Sequence, residues 1–215
     1  METGLTFKLD HFLILTEFDA PLADKLISLG FREGSANTHP GQGTSNRRFY
    51  FENSMFEFLW LHDQQEAKSG PGRGLQFVER HFDPGASPFG LIFSPLSEAD
   101  IDPPFDGWRY EPDYLDPPLY LHVADNSTEF QEPLLVFMPF VTKNMQPKDE
   151  PLNGKITEIC ITCPVDNPSA VLTKAAHAEG LTVKYGNEHL LEVFCESAAS
   201  GTFDMRPDLP VILHF

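Results

Sequence analysis

The sequence predicts an α+β fold in which repeated βαβββ units form a cupped, half-open, barrel-like mixed sheet with helices on its outer face. Two observations predict it. A strand-like segment, Phe7–Leu15, is followed by a short helical pattern and further strands up to Leu61. The same order returns near the C-terminal end, where a strand-like segment at 156–162 precedes a second helical pattern. An internal repeat of this size indicates two copies of one supersecondary unit.

The first unit is expected within residues 1–63. Apolar residues occupy both faces of its first strand, which is typical of a strand covered on both sides. Asp19 suits a helix N-cap, Pro21 suits the first turn, and Gly30 suits the residue that ends the helix. Strands are then predicted at 47–52 and 55–61.

The second unit is expected within residues 151–215. His11 aligns with Glu158 at an offset of 147 residues, and Gly30 aligns with Gly180 at an offset of 150. Asn167 and Pro168 suit the start of its helix. Strands are predicted at 183–185, 189–195 and 209–214, and the whole chain is expected to form one compact domain.

The region between the units, residues 64–150, has a different composition. It is rich in acidic residues and proline, which predicts a solvated, loop-rich surface. A short helix is predicted at 75–80 and strands at 88–95, 119–123 and 133–139. These strands are expected to complete the sheet.

Composition excludes several classes of protein. The chain has 215 residues with 15 Lys and Arg against 32 Asp and Glu, a formal net charge of −17. Such a chain repels nucleic acid and anionic lipid. It has no apolar window long enough for a membrane span and no signal-peptide pattern.

The cysteines indicate the compartment. Cys160 and Cys163 lie on a predicted strand and point to opposite faces, so core thiols in a reducing compartment are expected. The protein is therefore expected to be cytoplasmic.

Several short segments resemble a known family. They are Asp10-His11, Gly30-Phe31, the stretch GQGTSNRRFYF at 41–51 and the stretch FEFLW at 56–60. Together they resemble the glyoxalase-like domain of the vicinal oxygen chelate superfamily, also called the glyoxalase/bleomycin-resistance/dioxygenase superfamily. The match covers residues 7–62 and is most specific in the glycine, threonine and asparagine before Arg47.

The resemblance implies a half-open barrel whose concave face binds a small molecule, often around a divalent metal such as Zn, Mn, Fe or Ni. The metal ligands come from the first and last strand of each unit. By position they are His11, Glu57 and Glu158, and a fourth residue near Ile212 or His214, of which His214 can bind a metal. The resemblance also implies a homodimer.

Glu57 is a candidate for catalysis without the resemblance, since it lies in the apolar run MFEFLWL. An unpaired carboxylate is costly there. It therefore has a buried partner, a raised pKa or a bound cation, and a buried carboxylate can be the general base on a carbon acid. For His11 two interpretations stand: a metal ligand paired with Glu57, or a core histidine that bonds a neighbour. The first predicts that both side chains turn to one concave surface, within reach of one ion.

The glycine-rich segment at 39–46 and the arginine after it supply candidate substrate-binding residues. His39, Thr44, Asn46 and Arg47 can contact a carbonyl or anionic oxygen. The alternative is a turn-rich connection between strands. Arg47 and Arg48 are adjacent on a strand, so at most one of them faces a pocket.

These observations favour an enzyme that acts on a small organic molecule. The expected chemistry is metal-assisted lyase or isomerase chemistry on a carbonyl or enediolate, with the metal as Lewis acid on vicinal oxygens. Two alternatives remain: a protein of the same fold that binds and sequesters a small molecule, and an inactive scaffold with a decayed metal site.

Overall fold

A computed structural model describes residues 6–141, 150–196 and 200–215 of the chain. Its strands and helices follow in the order of the sequence. The first part contains β1 (Phe7–Leu15), α1 (Leu22–Ser28), β2 (Asn37–His39), β3 (Thr44–Tyr50), β4 (Met55–Leu61), α2 (Gln64–Ser69) and α3 (Phe77–Phe82). The second contains β5 (Phe89–Pro95), β6 (Gly107–Tyr110), β7 (Leu121–Ala124) and β8 (Leu134–Phe137). The third contains β9 (Lys155–Cys163), α4 (Ala170–Ala175), β10 (Thr182–Tyr185), β11 (Leu190–Glu196), β12 (Thr202–Asp204) and β13 (Val211–His214). Short 3-10 helices lie at Pro71–Leu75 and Asp125–Thr128.

Eight strands form one mixed, curled sheet in the order β2-β3-β4-β1-β5-β8-β7-β6. It consists of two four-stranded halves that meet where β1 pairs antiparallel with β5. In each half the first strand lies parallel to the last, β1 beside β4 and β5 beside β8. The predicted α+β fold with a half-open, cupped sheet is therefore confirmed.

The second half of this sheet comes from the middle of the chain and not from the C-terminal segment. Strands β9 to β13 form a separate five-stranded sheet in the order β10-β9-β11-β13-β12. There β9 has its parallel neighbour in β10, whereas the parallel neighbour of β1 is β4. The expectation that 156–215 repeats the topology of 7–62 is therefore wrong. The sequence similarity covers the first strand and the helix, while strand order is set by the connections after the helix. The boundaries at 63 and 150 stay a prediction.

The eight-stranded sheet is buried on both faces. Its convex face carries phenylalanines of five strands and packs against the five-stranded sheet, α1 and α4 in one apolar core. This core includes Phe12, Phe49, Phe58, Phe93, Phe137, Ile159, Leu191 and Leu213. Its concave face packs under α2, α3 and the first 3-10 helix through a second core that includes Leu13, Leu59, Leu75, Phe77 and Val136. No helix within the described ranges is long and apolar enough to span a membrane.

A buried carboxylate joins the middle region to the C-terminal segment. Glu132 is 3% exposed and accepts hydrogen bonds from the backbone N–H of Ser169 at 2.6 Å, from its hydroxyl at 2.7 Å and from the Asn126 side chain at 2.8 Å. The Ser169 hydroxyl in turn caps α4 by accepting from the N–H of Leu172. The Arg80 guanidinium donates to the Glu132 carbonyl at 2.7 Å. One side chain thus fixes the start of α4 against the larger sheet.

Replacing Glu132 by Gln is expected to destabilise the protein by about 2–3 kcal/mol, because the new amide group faces hydrogen-bond donors and leaves them unsatisfied. Urea unfolding followed by circular dichroism measures the loss. Glu129→Gln, at an exposed position of the same loop, is the matched control and should change the free energy of unfolding by less than about 0.5 kcal/mol. Equal effects of the two substitutions would contradict this role of Glu132.

Candidate functional site

A cavity of about 270 Å³ opens into the concave face of the eight-stranded sheet. Its polar lining comes from β1, β2, β3 and β4 and from the segments before β3 and before β7. Its apolar lining comes from both halves of the sheet and from the covering helices. The polar residues are His11, His39, Gln42, Asn46, Arg48, Glu57 and Tyr114, and the apolar ones include Leu13, Leu59, Leu75, Phe77, Ile92, Leu134, Val136, Met138 and Phe140.

Strand register explains which side chains face the cavity. Side chains on a strand alternate between the two faces of a sheet, and paired residues on neighbouring strands share a face. Glu57 of β4 pairs with Arg48 of β3 on one side and with Leu13 of β1 on the other. All three line the cavity. The alternation that the sequence predicts for β4 therefore places the Glu57 carboxylate inside the cup.

The carboxylate of Glu57 is held by a buried amide. Glu57 is 6% exposed and its Oε1 accepts a hydrogen bond from Nδ2 of Asn46, which is itself 1% exposed. The Oδ1 of Asn46 accepts from the backbone N–H of Asn37 at 2.7 Å. Because a backbone N–H can only donate, the amide oxygen must face Asn37 and the amide NH₂ must face Glu57. Oε1 of Glu57 is thereby committed as an acceptor, so a proton that the carboxylate takes up binds at Oε2.

A chain of hydrogen bonds ends at the His39 ring. The Tyr114 hydroxyl donates to Oε1 of Gln42 at 3.1 Å, and Nε2 of Gln42 donates to the Thr44 hydroxyl at 2.7 Å. The Thr44 oxygen lies 3.0 Å from Nδ1 of His39. With the Gln42 amide donating to this hydroxyl, we infer that the Thr44 proton is donated to Nδ1 of His39. In this arrangement His39 carries its own proton on Nε2.

The electrostatics of the site keep His39 neutral. Burial lowers the pKa of His39 and the Arg48 charge lowers it further, although the Glu57 carboxylate acts in the opposite direction. Burial raises the pKa of Tyr114 above its ordinary value, so its hydroxyl keeps the proton that it donates. The site therefore combines a carboxylate with an uncharged imidazole that has an N–H to donate.

His11 faces the cavity with its ring fixed by a neighbour. Nδ1 of His11 lies 2.8 Å from Oδ1 of Asp10. Burial raises the pKa of Asp10, but the hydrogen bond and charge of His11 outweigh it and leave that pKa below its ordinary value. The pairing of β1 with β5 shifts register between Leu9 and His11. This bulge places Leu9 in the convex core, whereas His11 and Leu13 face the cavity.

The structure brings together four of the predicted site residues. His11, His39, Asn46 and Glu57 all line the cavity. Thr44 is fully buried behind the lining and binds His39 and Gln42. The segment at 39–46 is half strand, since residues 40–43 lie between β2 and β3. That His11 and Glu57 lie within reach of one ion stays a prediction.

Arg47 does not line the cavity, contrary to expectation. It lies on the opposite face of β3, where its guanidinium donates to Glu33 at 2.6 Å and to Asp24 at 2.8 Å. These ion pairs raise the pKa of Arg47 despite its partial burial. Arg48 lines the cavity instead. The sequence limited the choice to one of the two arginines, and the register of β3 decides it.

Glu158 and His214 are also placed away from the cavity, so their assignment as metal ligands with His11 and Glu57 is wrong. They lie on β9 and β13 of the five-stranded sheet. Glu158 is exposed, and the His214 ring stacks on Phe194 with 4.3 Å between ring centroids. The error follows from the C-terminal segment forming its own sheet, since ligands on a different sheet cannot complete a site in the cup.

The donor set in the cup does not fit the expected metal. In the second half of the sheet, the strands equivalent to β1 and β4 are β5 and β8. Their cavity-facing residues are Gly90, Ile92, Leu134 and Val136, whose side chains offer no donor atom. Within the described ranges, no group of three His, Cys, Asp or Glu side chains could hold an ion. His11 and Glu57 alone are half of the set that the resemblance implies.

Gln42 and Tyr114 were missed by sequence reasoning. Gln42 lies between two glycines of left-handed conformation, and a Cβ at Gly43 would lie 2.2 Å from the Asp63 carbonyl. Only glycine permits this close approach of the turn to α2. The glycine pattern was a usable signal for Gln42. Tyr114 lies in the acidic middle region, where no periodic pattern marks it, so its contact with the site depends on the tertiary fold.

Comparison with solved structures supports the fold. A hypothetical protein from Staphylococcus aureus matches 97% of this chain and 98% of its own, with a TM-score of 0.60 at 12% identity. A hypothetical protein from Bacillus halodurans has a TM-score of 0.43 at 18% identity, covering 66% of this chain and 99% of its own. Methylmalonyl-CoA epimerase from Streptomyces coelicolor, in complex with 2-nitronate-propionyl-CoA, has a TM-score of 0.40 at 15% identity, covering 65% and 99%.

The first of these similarities shows a shared fold, and the other two carry no further weight. No protein-family model matches the sequence, and no curated protein matches it. The strand order of the cup is the one that the resemblance of residues 7–62 implies, two four-stranded halves around one concave face. The cupped, half-open fold that the resemblance implies is thereby confirmed, and membership of the vicinal oxygen chelate superfamily stays a prediction.

Asn46→Asp is expected to make stability depend on pH. The new side chain still accepts from Asn37, but its other oxygen faces Oε1 of Glu57, so the two carboxylates share a proton at low pH and repel when both ionise. A pair that binds a proton more tightly when folded stabilises the protein at low pH and loses that contribution as pH rises. Thermal unfolding between about pH 4 and pH 8 measures it, with wild type and Asn37→Asp as references. A parallel pH dependence in all three would contradict the contact.

Proposed function

We propose that this protein is a small-molecule enzyme of glyoxalase-like fold that transfers a proton at a carbon next to a carbonyl group, an isomerase or lyase reaction through an enolate or enediolate. The observation that carries this proposal is the combination of a buried carboxylate and a neutral, N–H-donating histidine in one apolar cavity. Such a pair can remove a proton from carbon and stabilise the oxyanion that forms.

Glu57 is the proposed general base. Asn46 holds its Oε1, so Oε2 takes the proton when the C–H bond breaks. The electron pair of that bond forms the carbon–carbon double bond of the enolate, and the carbonyl oxygen takes the negative charge. Return of the proton to the same carbon gives exchange. Where the deprotonated carbon carries a hydroxyl group, that hydroxyl loses its proton to the former carbonyl oxygen and the carbon-bound proton goes from Glu57 to the former carbonyl carbon, which gives isomerisation.

His39 is the proposed hydrogen-bond donor to the oxyanion. Its Nδ1 accepts from Thr44, which leaves Nε2–H to donate. A neutral imidazole suits this role, because its acidity is closer to that of an enol than the acidity of an imidazolium is. The apolar walls contributed by β5 and β8 limit water around the developing charge, and a lower dielectric strengthens the hydrogen bond.

The metal-assisted form of this reaction is not part of the proposal, because the cup provides two of the four donors that the resemblance implies. His11 is assigned instead to the polar end of the cavity, where Asp10 fixes its ring. The homodimer and the cytoplasmic location stay predictions.

A protein that binds and sequesters a small molecule is the second candidate. The apolar part of the lining favours it, since a largely apolar cavity binds a ligand whether or not chemistry follows. The two candidates differ in one observable property. The enzyme exchanges a carbon-bound proton of its ligand with solvent, and the sequestering protein does not.

Proton exchange into an α-hydroxy ketone tests the proposal. With 3-hydroxy-2-octanone in D₂O, the wild type should catalyse loss of the C3 proton signal in NMR and formation of the isomeric 2-hydroxy-3-octanone through a shared enediol. Glu57→Gln should slow this by about 100-fold or more, and His39→Asn by about 100-fold. Glu17→Gln and His177→Gln, at exposed positions, are the matched controls. Wild-type rates in Glu57→Gln would contradict its role as base, and bound probe without exchange would favour sequestration.

A further inference from the structure

The two ends of the cavity differ in chemistry because the two halves of the sheet differ. Every ionisable residue of the lining comes from the first half of the sheet or from the segment before β7. The second half presents Gly90, Ile92, Leu134 and Val136. A ligand in this cavity therefore has its polar group beside Glu57 and His39 and its apolar part against β5 and β8.

The charges of the polar end balance one another. Glu57 is directly opposite Arg48 in the register of β3 and β4. The Arg48 guanidinium donates to the Ser35 carbonyl at 2.6 Å and hydroxyl at 2.9 Å, and lies 5.4 Å from the centre of the Tyr50 ring. The Arg48 guanidinium is thus held by hydrogen bonds at the rim of the cavity. A ligand carboxylate would be repelled by the Glu57 carboxylate. A ligand ammonium has three N–H donors, and the Glu57 carboxylate, which already accepts from Asn46, would not satisfy all of them. Both ions would lose hydration without a matching partner.

The volume of the cavity limits the size of the ligand. A cavity of about 150 Å³ holds benzene, with six non-hydrogen atoms. A cavity of about 270 Å³ has room for about ten. The lining of the apolar end is Leu, Ile, Val and Met, with Phe77 and Phe140 at its margin. Gly90 accommodates the Leu13 side chain, since a Cβ at this position would lie 2.8 Å from it.

We propose that the ligand is an uncharged aliphatic carbonyl compound of about ten non-hydrogen atoms, bound with its carbonyl group at Glu57 and His39 and its hydrocarbon chain against β5 and β8. The position of the carbonyl group in this inference rests on the proposed function. The size, the lack of charge and the apolar chain of the ligand rest on the cavity. Chain length is selected where the tail ends, and Val136, one strand further from His11 than Ile92 is, lies toward that limit.

Binding of a homologous series of 2-alkanones, from 2-butanone to 2-dodecanone, tests the ligand class by calorimetry in the Glu57→Gln variant. This variant is expected not to turn ligand over, so binding is measured apart from catalysis. Affinity should rise about fourfold per methylene until about nine carbons and fall beyond. In the wild type, which retains the Glu57 charge, octanoate and octylammonium should bind at least tenfold more weakly than 2-nonanone. Tighter binding of either ion, or affinity that rises without a limit, would overturn the proposal.

A change in cavity length tests the orientation. Val136→Phe should shift the optimum to shorter ketones by about two to three carbons, because the larger ring fills the end of the cavity. Ile101→Phe, at an exposed position, is the control and should leave the optimum unchanged. An unshifted optimum in Val136→Phe would overturn the assigned orientation. If the ketone series behaves as expected but the wild type exchanges no proton, the ligand class stands and the proposed enzyme function fails.

Discussion

The antiparallel pairing of β1 with β5 is the contact on which the site depends. It joins two four-stranded halves that are separated in sequence by α2 and α3, and it makes them one continuous, cupped sheet. It also sets unlike residues side by side, since His11 is paired with Ile92 and Leu13 with Gly90. The polar and apolar ends of the cavity meet along this line.

The polar end owes its properties to hydrogen bonds whose direction is fixed from outside the cavity. The Asn37 backbone N–H orients the Asn46 amide, and the amide orients the Glu57 carboxylate. Tyr114, Gln42 and Thr44 act in the same way on His39. In both cases a group that donates a proton and keeps it determines the hydrogen-bonding state of the residue beside the ligand. Such preorganised groups stabilise developing charge without having to rearrange.

Much of the fold could be predicted from the sequence, because β1, α1, β3 and β4 have regular alternation and clear end signals. The same alternation put Glu57 inside the cup. The second half of the sheet could not be assigned this way, since β6, β7 and β8 are short and the helix expected in a repeat unit is replaced by a loop between β5 and β6. The C-terminal segment resembles the first unit only in its strand and helix. Pairing it with the first unit in one sheet was therefore wrong, and so was the assignment of Glu158 and His214 to the site. Tyr114 joins the site by a contact across 72 residues of sequence that no local pattern encodes.

The protonation state of His39 tests the central claim most directly, because the proposed chemistry needs a neutral ring that donates from Nε2. Nitrogen-15 NMR of histidine-labelled protein at neutral pH, with His39→Asn to assign the signals, distinguishes the two tautomers and the imidazolium. The account predicts a neutral His39 with its proton on Nε2 and a bare Nδ1 that accepts from Thr44. A proton on Nδ1, in either the other tautomer or the imidazolium, would contradict it.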